Sequence, residues 1–240
     1  MVINFCFDGH IFRSKSQPMS QNPTKTSQYI CPMKDQPNNQ SHWDHIYQTK
    51  VDVDVGWFQP IPVTSLEIID GLQLGLDSAI IDVGGGNANL TEQLIDRGFR
   101  DLNVLDISAN ALARTQKKIG PAADDITWIV SNVIDCDQLQ AYDVWHDRAA
   151  FHFLLEEHDI QSYVNQVKTH LKPGGHMVLA TFSLSGPRKC SGLPITQYSA
   201  AMLDVLFGNT FTLKQAMDVI HVTPSGYEQA FTYTLFQKQS

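Results

Sequence analysis

The run Ala79-Ile-Ile-Asp-Val-Gly-Gly-Gly-Asn-Ala-Asn-Leu90 decides the fold. Its first half, Ala79 to Val83 with Asp82 as the polar exception, predicts a buried strand. Gly84, Gly85 and Gly86 predict a turn, and Leu90, Leu94 and Ile95 then recur at helical spacing. Strand, glycine turn and helix in this order open a nucleotide-binding βαβ unit. Glycines let the backbone take positive φ and let a ligand reach main-chain N–H groups with no Cβ in the way. The helix N-terminus beyond them adds partial positive charge. Asp106 closes the next apolar run, Leu102-Asn-Val-Leu-Asp106, where a carboxylate can accept two ribose hydroxyls.

A dinucleotide fold wants G-x-G-x-x-G, because its third glycine allows close packing around a pyrophosphate. Counted from Gly84 and Gly86, that third place is Asn89, so the pattern is broken. An NAD(P)-dependent oxidoreductase is disfavoured on this ground. Asp82, just before the turn, suits a ligand that brings a positive group.

The 240 residues suit one α/β domain with a tail, and 42% apolar with 18% charged content is ordinary for a globular enzyme. No apolar run approaches the roughly 20 residues of a membrane span. A net charge of −8 without a basic cluster argues against nucleic acid as substrate, since that affinity comes mostly from phosphate neutralisation. Cys6, Cys31, Cys136 and Cys190 form no C-x-x-C, which reads as free thiols in a reducing, cytoplasmic setting with no metal site. Residues 1–38, rich in Ser, Gln, Asn and Pro, cannot bury enough apolar surface to offset ordering entropy, and they predict a flexible tail before a 39–240 domain.

Within that domain, Trp43, Ile46 and Tyr47 share a helical face, and Pro60-Ile-Pro62 makes a rigid joint before a helix that carries Leu66, Ile68 and Ile69. Trp57 and Phe58 either pack this segment onto the core or form a lid over a ligand. Ala109 to Ile119 predicts a helix with Ser108 as N-cap. Ile126 to Val130 predicts a strand delivering Ser131-Asn132-Val133, where an amide can meet an adenine amine and an apolar side chain can pack on the ring. Tyr142 to Trp145 is a further strand, followed by His146-Asp147-Arg148, and Lys172-Pro-Gly-Gly175 ends a helix before a strand over 176–182. A long loop over 183–198, with Cys190 in it, falls at the edge where open α/β sheets bind ligands. A helix over 199–207 and a hairpin over 212–222 and 229–237 finish the chain.

Asp82-Val-Gly-Gly-Gly86, Asp106, Ser131-Asn132-Val133, the strand into Asp147 and Leu171-Lys-Pro-Gly-Gly175 stand in register with the class I S-adenosylmethionine-dependent methyltransferases, which residues 41–240 resemble. Ala88 departs from the fullest glycine pattern. The resemblance implies a Rossmann-like, mostly parallel seven-stranded sheet with a C-terminal antiparallel hairpin and helices on both faces. It implies S-adenosylmethionine as cofactor, held by Asp82, Gly84, Gly85, Gly86, Asp106, Ile107, Asn132 and Val133. Trp145-His-Asp-Arg-Ala-Ala150 is similar to a segment of the thiopurine and tellurite methyltransferases, and Trp43-Asp44 with Trp57-Phe58 looks also like the protein-lysine methyltransferases. The string from Trp145 to Pro194 is most similar to a bacterial branch of unassigned substrate. The acceptor is then a small molecule or a protein side chain. Trp57, Phe58, Arg148 and Cys190 are candidates to meet it, and His146 and Asp147, with His152 as a weaker third, are candidates to take a proton from it. A closed apolar pocket under Trp57 and the 183–198 loop would mean a small molecule, and an open acidic or aromatic groove a peptide side chain. A non-catalytic binding module on the same fold is the alternative function.

Overall fold

The computed structural model describes residues 28–30 and 37–240, Ala88 excepted. The expectations for Cys6, Cys31 and Ala88, and for most of 1–38, lie outside these residues. In chain order the regular elements are β1 (Gln28–Ile30), α1 (Pro37–Thr49), α2 (Val63–Gly71), β2 (Ala79–Val83), α3 (Leu90–Asp96), β3 (Asp101–Asp106), α4 (Ala109–Ile119), β4 (Thr127–Val130), β5 (Tyr142–Arg148), α5 (Glu157–His170), β6 (Leu171–Phe182), β7 (Lys189–Cys190), β8 (Leu193–Pro194), α6 (Ala200–Phe207), β9 (Phe211–Val222) and β10 (Glu228–Lys238).

One sheet runs in the order β1-β4-β3-β2-β5-β6-β10-β9. The strands from β1 to β6 pair in parallel, and β10 pairs antiparallel with β6 and β9. The seven expected strands are all present. An eighth, β1, adds itself to the free backbone edge of β4, and it falls within the 1–38 segment expected as a tail. All five side chains of β2 are buried because the sheet is covered on both faces. Leu66, Ile69, Leu90, Leu94 and Leu112 of α2, α3 and α4 pack on one face. Tyr163, Val164, Leu203 and Phe207 of α5 and α6 pack on the other.

Three local findings position the site. Helix α4 has the expected bounds, and the Ser108 hydroxyl caps it by accepting the Ala111 N–H at 3.2 Å. Strand β5 continues through His146, Asp147 and Arg148, so these residues lie in the sheet and not beyond it. Strand β6 begins at Leu171 rather than 176. Tyr142 faces Leu171 and Val144 faces His176, so the residues between loop out of register, with Gly174 at φ +76°. The parallel order reverses between β2 and β5, which opens a crevice at the carboxyl ends of the central strands.

Candidate active site

Two adjoining cavities fill that crevice, one of about 140 Å³ and one of about 50 Å³. Tyr47, Trp57, Val83, Gly84 and Arg148 line both. The larger is walled by Asp106 and Ile107 after β3, Asn132 and Val133 after β4, and Ala149, Ala150, Phe153, Leu154 and Cys190 on its far side. The smaller adds Asp82, Asn89, Phe58, Gln59 and His146.

The glycine turn is tight for a physical reason at each position. Gly84 sits at φ +69°, and a Cβ there would lie 2.8 Å from the Ala150 Cβ. A Cβ on Gly85 would collide with the Asp82 carboxylate, and one on Gly86 would come within 2.6 Å of both the Ala111 Cβ and Asp106 Oδ2. Only glycine lets this backbone lie against two carboxylates. The Gly86 N–H donates to Asp106 Oδ2 at 3.0 Å and the Ser108 N–H to Oδ1 at 2.8 Å, while the Thr115 hydroxyl donates to the Gly86 carbonyl. Asp106 is therefore fixed in place, with a lone pair on each oxygen still to use. Burial pushes its carboxyl up to about 6, against the pull of those two N–H donors.

Asp82 and His146 are facing residues on the paired strands β2 and β5. The His146 Nδ1 meets Asp82 Oδ1 at 2.7 Å and Nε2 meets the Ser65 Oγ of α2 at 2.9 Å, all three side chains being buried. With both ring nitrogens engaged, the imidazole offers no free nitrogen to an acceptor. Asp82 Oδ2, by contrast, is buried and has no partner. A buried carboxylate oxygen left bare costs free energy that an ammonium group would recover.

Asp147 faces inward. Its Oδ1 accepts the Ala150 N–H at 2.9 Å, and its Oδ2 accepts the Tyr163 hydroxyl at 2.7 Å and the Phe151 N–H at 3.1 Å. Trp145 Nε1 donates in turn to the Tyr163 oxygen at 3.0 Å. Burial lifts the Asp147 carboxyl to about 6. The carboxylate thus holds the turn that sets Ala150 against Gly84, a turn that puts Ala149 at φ +72°. Asp147 and His152 lie outside the walls of both cavities. His152 is fully buried, accepts the Phe182 N–H at 3.3 Å, packs on the Phe182 ring and is driven down to about 3 by burial.

The roof comes from α1 and the segment after it. Trp57 packs edge-on to Trp43 at 5.6 Å and to Tyr47 at 6.2 Å. Helix α1 is tied to α4 by the Ser108 hydroxyl donating to Asp44 at 2.6 Å and by Arg114 donating to the Tyr47 and Lys50 carbonyls. Three side chains remote in sequence clamp the roof backbone. His221 Nε2 donates to the Gly56 carbonyl at 2.8 Å, Arg148 Nη1 to that of Trp57 at 3.0 Å, and Asn89 Nδ2 to that of Gln59 at 2.6 Å. Asn89, noted in the sequence only for breaking a glycine pattern, is a structural clamp, as is His221. The 183–198 loop contains the small hairpin β7–β8, whose turn residues Ser191 and Gly192 sit at φ 50° and 82°. It holds Cys190 at the cavity wall, where burial pushes the thiol up to about 11.

Residues 80–175 match a family model described as a methyltransferase domain. No curated protein matches the chain. Among solved structures the fold is similar to that of Burkholderia thailandensis 1,6-didemethyltoxoflavin-N1-methyltransferase, solved with 1,6-didemethyltoxoflavin and S-adenosylhomocysteine (TM-score 0.65, 17% identity, 84% of this chain and 88% of that one). It is similar also to a methyltransferase of Anabaena variabilis (TM-score 0.64, 14% identity, 83% and 93% covered). A third is Bradyrhizobium japonicum NodS, an N-methyltransferase, with S-adenosylhomocysteine (TM-score 0.60, 14% identity, 82% and 98% covered).

Proposed function

We propose that this chain, a class I S-adenosylmethionine-dependent methyltransferase whose residues 80–175 carry the matched domain, methylates a small molecule held beneath Trp57. The observation that supports a small acceptor is the roof, an aromatic cover whose backbone is tied down at Gly56, Trp57 and Gln59. The Burkholderia relative, solved with a small heterocycle, is consistent with it. The free thiol at Cys190 suits a cytoplasmic enzyme, and no helix among the described residues is long and apolar enough to cross a membrane.

The residues fit the cofactor. The bare Asp82 Oδ2 suits its ammonium, the Gly84–Gly86 backbone its tail, the two oxygens of Asp106 its ribose, and Asn132 with Val133 its adenine. Ile107 walls the same cavity. S-adenosylmethionine supplies a methyl group on a sulfonium sulfur, already activated for in-line displacement. What remains for the protein is alignment and exclusion of water, which can supply much of the acceleration. Trp57 and Trp43 cover the site, and Arg148 stands where the two cavities meet. We assign His146 and Asp147 to positioning, because their polar atoms are spent on Asp82, Ser65, Tyr163 and the 150–151 backbone. Proton removal, where the acceptor needs it, then falls to water.

The test is two-stage. Calorimetric titration with S-adenosylhomocysteine should show binding; a folded protein that gives no heat would count against the cofactor. Incubation of cell extract with methyl-labelled S-adenosylmethionine should place label in the low-mass fraction. Label confined to protein would move the acceptor to a side chain, and binding without any transfer would favour the non-catalytic module.

A further inference from the structure

Arg148 is a partly buried cation that, among the described residues, has no counter-ion. Arg97, Arg100, Lys118 and Lys172 each pair with a carboxylate, but among the described residues none pairs with Arg148. Its Nε donates to the Tyr233 hydroxyl and its Nη1 to the Trp57 carbonyl, both at 3.0 Å, and its guanidinium lies 4.7 Å from the Phe231 ring centroid. These neutral contacts fix the plane of the fork. Nη2 is buried and has no partner. Cys190, close by, is kept a neutral thiol by burial, and His221 and His152 carry either no charge or a positive one, so none of them balances the charge. A buried guanidinium nitrogen without an acceptor is costly, and an anion that reaches it recovers that cost with a charge-assisted bond.

The residues proposed for the cofactor leave one wall unassigned: Arg148, Ala149, Phe153, Leu154 and Cys190. We infer that this wall takes the acceptor, and that the acceptor carries an anionic oxygen group, a carboxylate or a phosphate, bound by Arg148 Nη2 beside an apolar body resting on Phe153 and Leu154. The inference rests on the methyltransferase reading and names the substrate class of that site. Arg148 is a specificity residue here. A guanidinium already pinned by two hydrogen bonds loses little freedom on binding, so the anion gains most of the charge-assisted bond.

Trp43 and Trp57 in the walls give a fluorescence signal for a test on the full chain saturated with S-adenosylhomocysteine. Benzoate, phenyl phosphate and benzamide serve as probes of one body with different groups. Benzoate or phenyl phosphate is expected to bind about tenfold or more tighter than benzamide, and the tighter of the two identifies the group. Arg148→Gln should erase the preference and Arg148→Lys should keep part of it. Because the Trp57 clamp is altered for every ligand alike, S-adenosylhomocysteine and 5′-methylthioadenosine, measured by calorimetry, should change in affinity by the same factor within about threefold in both variants. Where Arg148→Gln does not fold, Arg148→Lys and Tyr233→Phe, which unpins the fork, should each lower the preference. Equal binding of anions and amide by the wild type overturns the inference. So does a variant that loses S-adenosylhomocysteine but retains 5′-methylthioadenosine, since the guanidinium would then serve the cofactor carboxylate. Wild-type protein that binds no S-adenosylhomocysteine is a different failure, that of the methyltransferase reading.

Discussion

Two carboxylates carry the proposed cofactor site, and their surroundings differ. Asp106 is held by two N–H donors and pushed up to about 6 by burial, so it is largely ionised at neutral pH and protonated in mild acid. In the proposed site the ribose hydroxyls donate to the ionised form. Affinity for S-adenosylhomocysteine should therefore rise with pH up to about 6 and level off above, falling by up to about tenfold per unit on the acid side. Titrations from pH 5 to 8 measure this, and Asp106→Asn should be both pH-independent and weaker by on the order of a hundredfold, the loss of two charge-assisted hydrogen bonds. A variant that keeps the wild-type slope would remove Asp106 from the site. Asp82 depends on its neighbour: His146 takes Oδ1 and leaves Oδ2 for a ligand. His146→Phe should raise the dissociation constant for S-adenosylhomocysteine by roughly tenfold while 5′-methylthioadenosine, which lacks the ammonium, binds as before. A general base would show the opposite pattern, with binding intact and turnover lost in a pH-dependent way.

The glycine turn and the aromatic roof act as elements rather than as collections of side chains. Gly86→Ala drives a methyl into the Ala111 Cβ, which cannot rotate away, and into the Asp106 carboxylate, which two N–H donors hold in place. Overpacking of this kind costs about 1–3 kcal/mol, visible in urea unfolding, and should also weaken the cofactor by displacing Asp106. The roof is held by its carbonyls, so its stability resides in distant elements: Asn89 at the start of α3, Arg148 on β5 and His221 on β9. Asn89→Ala frees the Gln59 carbonyl and releases Lys118 Nζ from Asn89 Oδ1. Amides over 56–59 should then exchange with solvent faster by about fivefold, read by hydrogen exchange, because one partly buried hydrogen bond of about 1 kcal/mol is lost. Unchanged exchange there would mean that the other two clamps suffice.

At the scale of the molecule, Asp106 and Asp147 oppose the usual acid behaviour. Both have folded pKa values of about 6, above the ordinary range near 4, so the folded state holds their protons more tightly than the unfolded one. Their contribution is present in full below about pH 4 and is lost as pH rises to about 6. The stability difference between Asp106→Asn and wild type should shift in favour of wild type by up to roughly 3 kcal/mol on going from pH 7 to pH 4. Urea midpoints across that range check the sign. The sequence by itself determined the order of strands and helices, the Gly84–Gly86 turn, the Asp106 position at a strand end and the bounds of α4, because each is written in contiguous residues by burial period, backbone freedom or a cap. The extension of β5 was not readable that way. His146-Asp147-Arg148 look like polar loop residues until β2, β6, Ser65 and Tyr163 supply their partners. Nor was the clamp at Asn89, or the counter-ion that Arg148 lacks, since a side chain's partners come from elements tens of residues away. Tertiary structure decided which polar groups are spent on the fold and which are left for a ligand, because satisfaction of a buried group depends on what the whole chain brings to it.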